Sequence, residues 1–173
     1  MSYDTVRAAL ASFLTAANIP GVAKVYQSEP WYSPGETLDL AALGGSGAFV
    51  WIEMGEADEE RWAVPASYPG YTGSGIKAVH YPVSLIVEYQ YLIPQQTFPP
   101  VAPDGWVTSE GAILQALKDR IHSDPTLGAP TVVFQAAQEP GALKTSPDAP
   151  VFEPGKVLST REITFRITEV VQA

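Results

Sequence analysis

From Val79 to Tyr91 every second residue is apolar or aromatic: Val79, Tyr81, Val83, Leu85, Val87, Tyr89 and Tyr91. Side chains of a strand point alternately to its two faces. The stretch "KAVHYPVSLIVEYQYLI" (77–93) therefore predicts a long strand with one greasy face. Its other face carries His80, Pro82, Ser84, Ile86, Glu88, Gln90 and Leu92. Pro82 lacks a ladder donor, which predicts an edge position or a bulge. "LSTREITFRITEVV" (158–171) repeats the theme. There Ile163, Phe165 and Ile167 share one face, and Glu162, Thr164, Arg166 and Thr168 the other.

Two segments have helical spacing instead. Val6, Leu10, Phe13, Leu14 and Ala17 form one stripe. Ser2 or Asp4 can cap its start, and "NIPG" (18–21) ends it, because Pro20 cannot continue a helix. Ile113, Leu114, Leu117 and Ile121 form the second stripe, in a helix starting near Thr108 or Ser109. Shorter strands are expected at 22–28, 48–55, 61–66 and 131–137. The strand at 48–55 is apolar enough to be buried on both faces, with Trp51 in the core. "RWAVPA" (61–66) is expected to hairpin with it across the acidic turn "EADEE". The order of elements predicts an α+β fold: a twisted, mainly antiparallel sheet with two helices packed on one face. Residues 1–173 form one domain, with long loops at 29–47 and 140–156.

Composition narrows the function. The chain has no cysteine, which excludes disulfides, thiolate metal sites and cysteine nucleophiles. The start has no basic segment ahead of a long apolar core, so no signal peptide is expected. No run has the ~18 apolar residues of a membrane span. These features read as a soluble cytoplasmic protein. A net charge of -9 argues against gripping a nucleic-acid backbone, which is neutralised by Lys and Arg.

Candidate chemistry is thin. "GYTGSGIKA" (70–78) has two glycines at phosphate-loop spacing, but Ile76 stands where the lysine belongs and a strand follows where a helix is required. "GGSGA" (44–48) lacks the last glycine of a nucleophile elbow. His80 and His122 lie on different elements without a ligand-type neighbour. No catalytic, cofactor-binding or metal-binding residue is assigned. Glu56, Asp58, Glu59 and Glu60 read as an acidic hairpin tip, either solvated or facing a basic partner or pore.

An interface is better supported. Trp31 and Tyr32 sit in a loop between prolines, and Trp62 in a hairpin strand; Trp and Tyr are enriched at interface hot spots. Glu88, Glu162 and Arg166 stand on the mixed faces of the two long strands, where charge pairs can fix the register of a neighbouring copy. These six residues are the candidate subunit or connector interface, with the loops 29–47 and 140–156 beside them.

"DTVRAALASFLTAANIPGVAKVY" at the start resembles the opening of tail terminator proteins from long-tailed bacteriophages, especially those of actinobacterial hosts. "SEGAILQALKDRIHSDP" as second helix and "TREITFRITEVV" as closing strand extend the resemblance over nearly the whole chain. It rests on element order and local phrasing and carries over no individual functional residue. The resemblance implies a virion protein of the tail neck, assembled in the host cytoplasm. Such a protein forms a homo-oligomeric ring, most simply a hexamer. It caps the tail tube protein, joins the head–tail connector protein and lets DNA pass its lumen without specific binding. It has no catalysis and no cofactor. The alternatives are another neck or tail tube component, or a small α+β ligand-binding or enzymatic domain.

Overall fold

A computed structural model of the protein describes residues 3–30, 39–62, 76–93, 105–128, 133–136, 143–146 and 149–172. Helix α1 (Tyr3–Ala16) is followed by β1 (Val22–Tyr26), β2 (Ser46–Met54), β3 (Asp58–Trp62) and β4 (Ile76–Leu92). Helix α2 (Gly105–Ser123) precedes β5 (Val133–Ala136), β6 (Lys144–Ser146), β7 (Val151–Glu153) and β8 (Lys156–Gln172). The fold is α+β. All eight strands form one sheet in the order β1-β2-β4-β8-β5, with β3 also on β4, and β6 and β7 also on β8. Only β1 and β2 are parallel among the described strand pairs.

The alternation in β4 sorts as its sequence predicts. Val79, Tyr81, Val83, Leu85, Val87 and Tyr89 are buried, beside Ala48, Val50 and Ile52 of β2 and Ile163, Phe165 and Ile167 of β8. Helix α1 covers them with Val6, Leu10, Phe13 and Leu14, and α2 with Ile113, Leu117 and Ile121. Each such side chain contributes roughly 1.5–3 kcal/mol by leaving water. Both helices therefore lie on one face of the sheet. Helix α2 begins at Gly105, a turn ahead of the expected Thr108 or Ser109.

Pro82 marks a bulge, but on the partner side. Strand β2 ends at Met54 opposite Val83, and β3 begins at Asp58 opposite His80. Residues 55–57 thus bulge past Tyr81 and Pro82. Gly55 N–H donates to the Pro82 carbonyl at 3.0 Å. In extended backbone a residue's N–H and C=O point the same way, so the donor that proline lacks falls where the partner strand is interrupted.

This corrects two expectations. Strand β3 does not hairpin with β2; it continues along β4 after the bulge, and starts at Asp58 rather than Arg61. The acidic stretch is not a hairpin tip either. Glu56 lies in the connection, while Asp58, Glu59 and Glu60 belong to β3. Strand β4 supplies the cause: Lys77 forms an ion pair with Glu59, and His80 Nε2 lies 3.5 Å from Glu60 Oε2.

The two expected loops have topological work. Parallel strands need a crossover of a dozen or more residues, and residues 27–45 make the one from β1 to β2. Its described end is a single helical turn. Asp39 Oδ1 accepts from Ala42 N–H at 3.1 Å, and Gly44 and Gly45 close the turn at φ 76° and 96°. The stretch 140–156 is not all loop, because β6 and β7 lie within it and pair with β8. Strand β5 spans only Val133–Ala136, so they cover edge of the long β8 that β5 leaves open.

Helix α2 is pinned at both ends. Near its start, Glu110 is 4% exposed and sits on the apolar stripe. Ser159 Oγ donates to Glu110 Oε1 at 2.5 Å, Arg161 Nε donates to the same oxygen at 2.9 Å, and Arg161 Nη2 donates to Oε2 at 3.0 Å. Near its end, Arg120 stacks 3.7 Å over the Phe13 ring and donates to the Phe13 carbonyl, a group near the C-terminus of α1. Between them, Gly21 holds φ 85°, and a Cβ there would lie 2.9 Å from Ile113 Cδ1.

Gly21→Ala should lower unfolding free energy by about 1–3 kcal/mol, chiefly through the left-handed backbone; urea denaturation measures it. Glu110→Met alone should cost about 3–5 kcal/mol, because Ser159 Oγ and two Arg161 nitrogens lose their shared acceptor, and Glu110→Met with Arg161→Met should recover part of the loss. A double-mutant cycle by denaturation checks the recovery.

Candidate functional site

No described helix packs on the face of the sheet turned away from α1 and α2. Register places its residues in rows. Tyr26 of β1 is level with Trp51, which pairs with Ile86, then Glu162, then Ser146. One row away, Lys24 is level with Phe49, Glu88 and Thr160. On the other side run Glu53, Ser84, Thr164 and Lys144.

Local contacts fix the aromatic end. Tyr26 packs edge-on against Phe49 with centroids 5.8 Å apart, and Lys24 Nζ sits 4.5 Å over the Tyr26 ring. Trp51 Nε1 donates to Glu53 Oε1 at 3.1 Å. Trp51 is therefore a half-buried residue of this face, not the core residue expected, because its place in β2 is one step out of phase with Val50 and Ile52. Phe49 and Gly47 on the same side are buried, so the middle of β2 is covered on both faces as its composition predicts.

Of the six candidate interface residues, Glu88, Glu162 and Arg166 share this face. Glu88 accepts from Gln90 Nε2 at 3.2 Å. Glu162 is half-buried opposite Ile86, and Arg166 is exposed opposite Pro82. Among the described residues neither Glu162 nor Arg166 has an ion-pair partner. Trp62 ends β3 opposite Ile76. Trp31 and Tyr32 lie outside the described residues. The face thus joins the three whose side chains the structure describes.

His80 has the most developed polar contacts on this face. Its Nδ1 lies 3.0 Å from Thr168 Oγ1, and its Nε2 faces Glu60. Hydroxyl, imidazole and carboxylate follow the order used in acyl transfer. That chemistry also needs free N–H donors aimed at a developing oxyanion. Here His80 and Thr168 are directly paired residues of the β4–β8 ladder, whose N–H groups serve the sheet. The arrangement ties β3, β4 and β8 together. His122 is exposed in the last turn of α2, away from this cluster. No group of three or more His, Asp or Glu among the described residues is placed to hold a metal ion. No described helix is long and apolar enough to cross a membrane.

Asp124 and Tyr89, both on the helix side, are displaced from their ordinary values. Hydrogen bonds from the Thr126 side chain and backbone hold the Asp124 carboxyl low, stabilising the turn after α2. Burial pushes the Tyr89 phenol up, and the nearby Ser109 and Ser46 hydroxyls oppose this in part. Those two hydroxyls lie 3.0 Å apart, and the Tyr89 hydroxyl itself makes no hydrogen bond of sound geometry.

Sequence reasoning passed over the buried charges. Glu110 stands three residues before Ile113 on the α2 stripe. Arg161 and Glu169 stand two residues outside Ile163 and Ile167 on the inward face of β8. Phase alone places all three inside. Glu169 accepts from the Tyr81 hydroxyl at 2.9 Å.

Compared with known proteins, the chain matches no protein-family model and no curated protein.

Ile86→Lys puts a charge in the centre of the face, opposite Glu162. It should change monomer stability by under about 1 kcal/mol, since Ile86 is outside the core, yet weaken any assembly that uses this face at least tenfold. Sedimentation and thermal melting, run on the same sample, separate the two effects.

Proposed function

We propose that the chain is a structural virion protein: a ring-forming tail terminator that caps a phage tail tube and joins it to the head-side connector. The observation that carries this reading is the sheet face turned away from the helices, on which no described helix packs. It sets Trp51 and Ile86 among Glu53, Glu88, Glu162 and Arg166, a mixture of apolar anchors and charges of both signs, mostly negative, suited to holding a neighbouring copy in register. The α+β fold with two helices on one side agrees with the resemblance of its sequence. A net charge of -9 suits a lumen wall past which phosphates slide without sticking.

Negative-stain microscopy of purified protein with isolated tail tubes tests the reading. Closed rings seated on tube ends are expected. Tubes that stay uncapped at saturating protein, or open-ended tubes grown from this chain alone, would overturn it; the latter makes it a tube subunit. Because the role needs no catalysis, His80→Ala with His122→Ala should leave capping intact. Loss of capping in a well-folded double variant would count against a purely structural role.

A further inference from the structure

Helix α2 divides into two unlike parts. From residue 112 onward it is seated by an apolar stripe, Ile113, Leu117 and Ile121, all buried. Its first six residues, 105–110, meet the sheet chiefly through polar groups. Ser109 Oγ lies 3.0 Å from Ser46 Oγ of β2, and Glu110 accepts from Ser159 and Arg161 of β8. Half-buried Trp106 is the apolar contact of this part with the core. Its outer side meets Phe152, an exposed ring, and the next residue, Val107, is also exposed.

Gly111 stands at the join. A glycine inside a helix weakens it, because glycine has more backbone freedom to lose than any other residue. Packing does not call for one here. Gly111 is exposed, its backbone is outside the left-handed region, and a Cβ built on it would meet nothing within 4 Å. The weak point of the helix thus coincides with the change from polar to apolar seating.

The two kinds of seating differ in energy. Apolar burial stabilises wherever the surfaces fit. A buried ion pair demands exact geometry yet returns little net stability, since both charges give up water. Closure also leaves one group dry. Tyr89 is fully buried beside Ser46 and Ser109, and its hydroxyl has no hydrogen-bond partner of sound geometry. Water reaching this end of the core would satisfy that hydroxyl and rehydrate the ion pair. Segments held in this way belong to the low-stability end of a fold and open before the rest.

We infer that residues 105–110 form a latch that lifts from the sheet as a unit about Gly111, while 112–123 stay seated. Opening uncovers Glu110, Ser159 and Arg161 together. The device is a property of the fold and does not depend on the proposed ring.

Native-state hydrogen exchange of the full chain, read by NMR, tests it. In an α-helix the N–H groups of 109–114 bond the carbonyls of 105–110. These six amides should share one opening constant, at least tenfold larger than that of 118–121. A protection gradient rising evenly from residue 109, as plain end fraying gives, overturns the latch. Ile121→Val should speed exchange at 118–121 about fivefold and leave 109–114 unchanged, because the latch opens without unseating Ile121. Equal acceleration of both sets would mean that the helix opens as one body, and the inference fails. Gly111→Ala should slow exchange at 109–114 about threefold; no slowing removes Gly111 as the hinge.

The absence of cysteine allows a second measurement. Ser159→Cys and Val50→Cys each place a single thiol at a buried position, one beneath the latch and one in the core under the helices. With both variants folded by circular dichroism, an aromatic disulfide reagent should modify the first at least tenfold faster. Equal rates would show that both sites open only by global unfolding, which overturns the latch.

Discussion

The unbroken pairing of β4 with β8 governs the rest of the structure. Their ladder runs from Ile76 opposite Gln172 to Leu92 opposite Lys156 without a register shift. Because side chains alternate with period two, one ladder decides for both strands which residues lie under the helices and which do not. A slip by one residue would send Ile163, Phe165 and Ile167 outward and Glu162, Thr164 and Arg166 into the core. The buried polar contacts make that slip costlier still. Tyr81 reaches Glu169 near one end of the ladder, and Arg161 and Ser159 reach Glu110 nearer the other. Each is satisfied only in the observed register, so buried charge here acts as a registry device, a role for which such groups are best attested.

The remaining strands are short because they complete what the two long ones leave open. Strand β2 and then β3 line one side of β4, and β5, β6 and β7 line the free side of β8. Discontinuity is the consequence of length. On the side of β4 away from β8 no single described strand spans its whole length, and the break between β2 and β3 falls where Pro82 has no donor to offer. The proline, the bulge at 55–57 and the acidic strand facing Lys77 and His80 form one local solution.

Much of this was legible in the residues. The two helical stripes and the two alternating faces read correctly because periodicity is a local property, and burial follows from it directly. Three things were not. The collinearity of β2 and β3 depends on a third strand, β4, so the acidic stretch between them looked like a turn. The hairpin "VFEPGKVL" (151–158), with Pro154 and Gly155 at its turn and Gly155 at φ 81°, carries a clear turn signal hidden inside a proline-rich run. The partners of Glu110, Arg161 and Glu169 lie 51 and 88 residues away along the chain, and no pattern within one segment names them. For the uncovered face, phase was enough to place Glu88, Glu162 and Arg166 together, whereas it misplaced Trp51 because an apolar run hides its own alternation.

An acidic chain that assembles with itself must meet a specific electrostatic condition. At a charge of -9, repulsion between copies is largely screened beyond the Debye length of roughly 8 Å at physiological ionic strength, so the local charge pattern decides at contact. If the chain assembles as proposed, the cations spaced across the sheet face away from the helices would meet this condition. Lys24 lies at one edge, Arg166 stands on β8, and Lys144 pairs with β8 at the other edge, among Glu53, Glu88 and Glu162. A neighbour displaced along the strands from a matching position would bring carboxylates together. In the proposed assembly, apolar positions such as Trp51 and Ile86 would supply attraction without direction, and the scattered charges direction with little net attraction. A surface built from both parts can be adhesive and still admit a single geometry, which is the requirement a closed ring imposes and a disordered aggregate does not.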